Sequence, residues 1–119
     1  MIDRLRRLFS RSTDDGGVRP TVDAATAVQL VRDGATLLDV RERDEWRTGH
    51  APQAVHVPLA DVPSAAPRRL KDGATVVVVC ASGMRSRTAA RQLRSLGYAA
   101  TSLSGGLGAW QAAGGAVRR

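Results

Sequence analysis

From Thr21 onward, stretches of consecutive apolar residues alternate with stretches whose apolar residues recur at helical spacing. Residues 75–79 (TVVVV) are the plainest of the first kind. They are β-branched throughout and apolar on both faces, which suits a strand in the middle of a parallel sheet with helices on either side. Residues 36–40 (TLLDV) and 99–103 predict further strands, and residues 55–57 a short extended piece ended by Pro58. Asp23 caps a predicted helix that runs to Asp33, with Ala27, Val28 and Val31 on one face and Gly34 as its stop. Residues 43–48 predict a brief helix closed by Gly49. Residues 85–96 predict a longer one that buries Ala89, Ala90, Leu93 and Leu96, with Gly97 at its C′ position. Residues 107–113 predict a last short helix. Pro63 and Pro67 break the stretch before the TVVVV strand into short turns or helical fragments. No internal repeat is visible, and the order of elements predicts an α/β layered fold around a mostly parallel sheet.

Residues 1–18 have another character from residues 19–119, which hold the alternating pattern. Met1, Ile2, Leu5, Leu8 and Phe9 recur at helical spacing with Arg4, Arg6, Arg7 and Arg11 between them, and residues 12–17 (STDDGG) read as a linker. The arginines interrupt any secretory-signal pattern, so a cytoplasmic protein is expected. The segment reads as a loosely held basic extension. The sharper alternative is weak contact of residues 1–11 with an anionic membrane surface.

Composition narrows the function. With 119 residues the chain is sized for one domain, and 43% hydrophobic residues supply a modest core. The longest uncharged apolar run, residues 73–84, is far short of the ~20 residues that span a bilayer. Phe9, Trp46, Tyr98 and Trp110 are the only aromatic residues. That is too few for single-strand nucleic-acid binding by stacking, and no nucleic-acid-binding motif is present, so no nucleic-acid partner is expected. A lone cysteine, Cys80, excludes an internal disulfide, a CxxC pair and a multi-cysteine zinc site, and His50 and His56 are too few to compensate. Neither metal nor cofactor is expected. The net charge is +7, and no acidic residue follows Asp72 while Arg85, Arg87, Arg91, Arg94, Arg118 and Arg119 do. Such a one-signed field attracts anions. Arginine makes up seventeen of the eighteen basic residues, which with abundant Ala and Gly fits the codon usage of a GC-rich bacterium.

The candidate chemistry lies at the end of the most apolar strand. Cys80 follows Val79 directly, then Ala81, Ser82, Gly83, Met84, Arg85 and Ser86 lead into the predicted helix. In open parallel sheets ligands bind beyond the carboxyl ends of the strands. A tight loop there can turn several N–H groups toward one point, with a helix dipole behind them, and so bind an anion or depress a thiol pKa. Arg85 adds a positive charge free to face the loop or to swing out to substrate. Gly83 permits the backbone turn, and Ser82 and Ser86 bring hydroxyls. A lone cysteine is most often a buried core residue. Cys, Gly, Arg and Ser together in one loop have little use in a core.

Three stretches in order resemble the single-domain rhodanese-like (sulfurtransferase) family. Asp39-Val40-Arg41-Glu42, Glu45, Gly49-His50-Ala51-Pro52, Ala54 and Pro58 resemble its first signature. Cys80-Ala81-Ser82-Gly83-Met84-Arg85-Ser86 resembles its active-site loop, and Leu103, Gly105-Gly106, Trp110 and Gly114 its C-terminal signature. The resemblance implies a mostly parallel five-stranded sheet flanked by helices on both faces. It also implies a transient persulfide on Cys80, formed from a small anionic donor such as thiosulfate or a persulfide. The outer sulfur would pass to cyanide, a thiol or a sulfur-carrier protein. With no second cysteine, release depends on an outside acceptor. The family's related phosphatases place five residues between Cys and Arg; here four lie between Cys80 and Arg85, which resembles the sulfurtransferases. Gln53 stands where the family usually has Gly, Ala51 where it often has a larger aliphatic residue, and Ala81 where many relatives carry Arg or another polar group. The reading from another class is a non-catalytic rhodanese-like interaction or regulatory module with an inert loop.

The remaining polar residues have mainly structural expectations. His50 reads as a hydrogen-bonding scaffold rather than a base. Asp39, at a strand end, is expected to accept backbone N–H groups. Arg41 is expected to pair with an acid such as Glu45 or, alternatively, to help draw in the anion. Trp46 and Trp110 read as core fillers. Arg87, Arg91 and Arg94 read either as a solvated face or as a funnel for an anionic donor.

Overall fold

The computed structural model describes residues 19–119. The basic extension and the membrane contact expected of residues 1–18 lie outside the described residues. The elements run β1 (Thr21–Val22), α1 (Ala24–Arg32), β2 (Thr36–Asp39), α2 (Arg43–Thr48) and β3 (Val55–His56). A 3-10 turn (Leu59–Asp61) leads into α3 (Val62–Arg69), then β4 (Thr75–Val79), α4 (Met84–Ser95), β5 (Ala99–Leu103) and α5 (Gly106–Ala112).

The five strands form one sheet in the order β1-β5-β4-β2-β3, every pair parallel. β4 takes the central place that its two apolar faces demand. Its even-numbered residues Val76 and Val78 join Cys80, Leu38, Ala89, Ala90 and Leu93 on the face covered by α3 and α4. Its odd-numbered residues Val77 and Val79 join Leu37, Leu30, Ala27 and Trp110 on the face covered by α1 and α5. All four valines are fully buried. Each contributes on the order of 1.5–3 kcal/mol of burial free energy, so this strand anchors both layers. The expected architecture, a sheet flanked on both faces, is the one observed.

The local expectations hold with three adjustments. Leu96 is 47% exposed rather than buried. α4 ends before it, the chain reverses at Gly97 (φ +99°), and Tyr98 takes the buried place, its N–H donating to Leu93 O at 3.1 Å. On α1 the buried strip is Ala27, Val28 and Leu30, with Val31 only half covered. Residues 62–69 form one helix despite Pro63 and Pro67. Pro63 lies in the first turn, where no N–H is needed, and Pro67 comes too near the end to break more than one bond.

Candidate active site

β4 delivers Cys80 to the carboxyl edge of the sheet, and the next six residues fold the chain back over it. Gly83 sits at φ +107°, a left-handed conformation that a side chain strains. That turn aims its N–H at Cys80 Sγ, 3.1 Å away, and the Ser86 N–H reaches the same sulfur at 3.3 Å. Ser86 Oγ lies 3.4 Å from Sγ and 2.7 Å from Ser102 Oγ on β5. Cys80, Ser86 and Ser102 are all fully buried.

A second glycine turn forms the floor of the loop. Leu107 N–H donates to Cys80 O at 2.9 Å. Gly106, at φ +72°, lies so close beneath the loop that a Cβ there would overlap the Ala81 carbonyl. Gly106 is glycine because two backbones meet there, while at Gly105 (φ +87°) a Cβ would meet the Ala109 methyl. Above, Ala81, Ser82 and Met84 are exposed, and a recess of about 150 Å³ opens beside the loop, bordered by Ser82, Met84, Arg87 and Ser102.

Two influences oppose each other at the sulfur. Burial pushes the Cys80 thiol pKa up. The Ser86 hydroxyl and the N–H groups of Ser86, Gly83 and Ser82 favour the anion, and together they bring it below the ordinary thiol value. The amino end of α4 points its dipole at the same place. Every donor that touches the sulfur is neutral.

Arg85 makes no hydrogen bond to the sulfur and pairs with Glu45 instead. Its Nη1 and Nη2 donate to Glu45 Oε1 and Oε2 at 2.6 and 2.8 Å, a bidentate bridge from α4 to α2. The Arg85 hydrogen bonds hold the Glu45 carboxyl at about 2, against the smaller opposing effect of burial, and the same bridge raises Arg85 above its usual value. Glu45 Oε1 also accepts the Glu42 N–H at 2.9 Å as half of a capping box that starts α2.

Arg41 corrects a second expectation. Its acid is Asp39, not the Glu45 carboxylate. Nε lies 3.0 Å from both Asp39 carboxylate oxygens, Nη2 lies 2.9 Å from Oδ2, and the Arg41 N–H donates to Oδ1 at 3.0 Å. From Glu45 it takes only the backbone carbonyl, at 3.2 Å, and its Nη2 reaches Gly49 O at 2.7 Å. Asp39 and Arg41 are buried and fully engaged, so they shape the loops around α2 and do not reach the sulfur. His50 Nδ1 donates to Trp46 O at 2.7 Å and His56 Nε2 to Arg41 O at 2.8 Å, and both imidazoles stack on the Trp46 indole. Trp110 is core, whereas Trp46 is a half-covered bracket between two histidines. Arg87 and Arg91 are exposed on α4, and Arg94 Nη1 donates to Ala100 O at 3.1 Å. No group of three or more His, Cys, Asp or Glu side chains gathers as a metal would require, among the described residues.

Two members of the site escape sequence reading. Glu45 pairs with the distant Arg85 rather than the nearby Arg41, and Ser102 carries no signal, being a small polar residue in a strand.

The rhodanese-like domain model matches residues 23–113 of this chain. A Bacillus subtilis (strain 168) protein named "Putative sulfurtransferase YtwF" is 39% identical over 75 residues, covering 63% of this chain and 72% of that protein. The rhodanese-like domain of the Alr3790 protein from Anabaena sp. superposes with a TM-score of 0.75 at 31% identity, covering 85% of this chain and 80% of that domain. The human single domain sulfurtransferase TSTD1 superposes with a TM-score of 0.70 at 29% identity, covering 79% and 96%.

Proposed function

The chain belongs to the rhodanese-like domain family, and from that premise we propose that it is a sulfurtransferase that carries sulfane sulfur as a persulfide on Cys80. The donor is a small anion such as thiosulfate or a low-molecular-weight persulfide. The acceptor is cyanide, a thiol or a sulfur-carrier protein. The observation that carries the reading is the seat of Cys80 Sγ, held by the Gly83 and Ser86 N–H groups and the Ser86 hydroxyl at 3.1 to 3.4 Å.

In the first half-reaction the Cys80 thiolate attacks the outer sulfur of thiosulfate. A new S–S bond forms, the S–S bond of thiosulfate breaks, and sulfite leaves with the bonding pair. In the second, the acceptor attacks the outer sulfur of the persulfide, which leaves as part of the product while Cys80 returns as thiolate. Thiocyanate forms from cyanide and a new persulfide from a thiol. Splitting the transfer this way gives ping-pong kinetics. Both states of the cysteine are anions, so neutral N–H donors in the loop can serve the transfer without moving a proton. Arg87, the one cation bordering the recess among the described residues, attracts the donor, and Arg85 braces α4 through Glu45. Cys80 has no exposed surface at rest, so residues 81–84 have to yield as the donor enters.

Intact-protein mass spectrometry after incubation with thiosulfate tests this. Wild type is expected to gain one sulfur atom and lose it to cyanide, and Cys80→Ser to gain none. Should wild type take up no sulfur from thiosulfate or from a low-molecular-weight persulfide, the sulfurtransferase reading falls and a non-catalytic interaction module replaces it.

A further inference from the structure

Beneath Cys80 the Ser86 hydroxyl stands between two neighbours, the sulfur at 3.4 Å and Ser102 Oγ at 2.7 Å. A serine hydroxyl carries one proton and two lone pairs, so Ser86 can donate in only one direction at a time. The choice decides which form of the cysteine is favoured. If Ser86 donates to Ser102, its lone pairs face the sulfur and suit a neutral S–H. If Ser102 donates to Ser86, the Ser86 proton is left for the sulfur and suits an anion.

Ser102 settles the direction. It is fully buried on β5, and Ser86 Oγ is the one hydrogen-bond partner of its hydroxyl among the described residues. A buried donor left without an acceptor is costly, so the arrangement in which Ser102 donates to Ser86 is preferred. The proton of Ser86 then has the sulfur as its remaining acceptor. Polarisation along the pair strengthens that donation, since a hydroxyl that accepts a hydrogen bond is a better donor.

We propose that Ser102 is a positioning residue for the sulfur chemistry: by donating to Ser86 it fixes the Ser86 hydroxyl as a donor to Cys80 Sγ, and so biases the cysteine toward its thiolate and persulfide anions. This rests on the sulfur-carrying reading of Cys80 but is measured without it. Ser102 touches no reacting atom and acts only through Ser86.

The test is the ultraviolet absorbance of the thiolate followed against pH, with Cys80→Ser as the blank, since absorbance reports a buried thiol that reagents reach slowly. Ser102→Ala is expected to raise the titration midpoint by about 0.5 to 1 pH unit, a roughly three- to tenfold smaller thiolate fraction below the midpoint. In a Ser86→Ala background the same substitution is expected to change nothing, because its path to the sulfur is gone. Ser102→Thr keeps the hydroxyl and is expected to stay near the wild-type midpoint, and exposed Ser95→Ala serves as the neutral control.

An unchanged midpoint in Ser102→Ala overturns the proposal. So does an equal shift with and without Ser86, or a threonine that shifts as far as alanine. Should Ser102→Ala fail to fold, Ser102→Thr is compared with Ser102→Val, alike in size and lacking the hydroxyl: a midpoint raised in valine alone supports the proposal, and equal midpoints overturn it. Sulfur uptake from thiosulfate is read separately by mass, so a protein that titrates as expected but takes up no sulfur would sink the transfer reading and leave this one standing.

Discussion

Two neighbouring strands end side by side with a buried ionisable group at or just beyond each end, and the two groups are held in different ways. β2 and β4 are paired so that Asp39 lies opposite Val79, one residue before Cys80. Asp39 is met by a full positive charge, the Arg41 guanidinium, at 2.9 to 3.0 Å. Cys80 is met only by neutral donors, although an arginine lies five residues further on. That arginine is turned away and tied to Glu45. The contrast separates fixing a group from keeping it reactive. A full charge against a carboxylate lowers its free energy deeply and leaves it nothing to do. Neutral dipoles around the sulfur favour its anion without a full charge against it, as the proposed transfer requires.

The comparison can be broken first at its stronger end. Arg41→Ala strands a buried carboxylate and is expected to cost about 3–5 kcal/mol in chemical denaturation. A loss under about 1 kcal/mol would mean that Asp39 does not depend on its partner, and the contrast would collapse. At the weaker end, Ser86→Ala removes one neutral donor and is expected to raise the Cys80 titration midpoint by about one unit. A shift of several units would show the sulfur held as tightly as the carboxylate. The smallest effect belongs to the bridge that diverts Arg85. Glu45 has a folded pKa of about 2, below its unfolded value of 4.5, so its contribution is complete above the unfolded value and is lost as pH falls through about 2. Both partners are about one-third exposed, which limits the contribution to about 0.5–1 kcal/mol. Glu45→Gln should therefore lower stability by about that much at pH 7, with the gap to wild type closing between pH 5 and 2. A gap that stays constant through that window would show that the carboxylate's charge is not what the bridge supplies.

What could be read in the sequence was whatever lay close together along the chain. The TVVVV run and the loop from Cys80 to Ser86 are contiguous, and local chemistry sufficed to place the strand, the loop and the helix after it. The pairings across the fold were another matter. Glu45 and Arg85 are forty positions apart, on two helices that only the complete fold brings within reach of each other. The spacing from Arg41 to Glu45 suits a helical pair, but Arg41 precedes α2 and folds back on Asp39 instead. Ser102 is one of two small polar residues in β5, and its meeting with Ser86 follows from the packing of α4 on that strand. Leu96 fits the apolar spacing of α4 but falls just past its last turn, where the cap and not the period decides burial.

Strand order also sets a timetable. Thr21 of β1 pairs with Ser102 of β5, the first strand made beside the last. The serine that faces Ser86 and the glycine turn that supports the loop both come after Cys80 in the chain. While the polypeptide is still emerging from the ribosome, the loop from Cys80 to Ser86 is therefore complete in sequence before the residues that support it have been made. The sheet's non-local pairing makes its completion slow relative to helix formation. A chain halted before β5 would carry the whole signature loop, with Gly83 and Ser86 in its sequence, but without the Ser102 hydroxyl and the Gly105-Gly106 turn that support it.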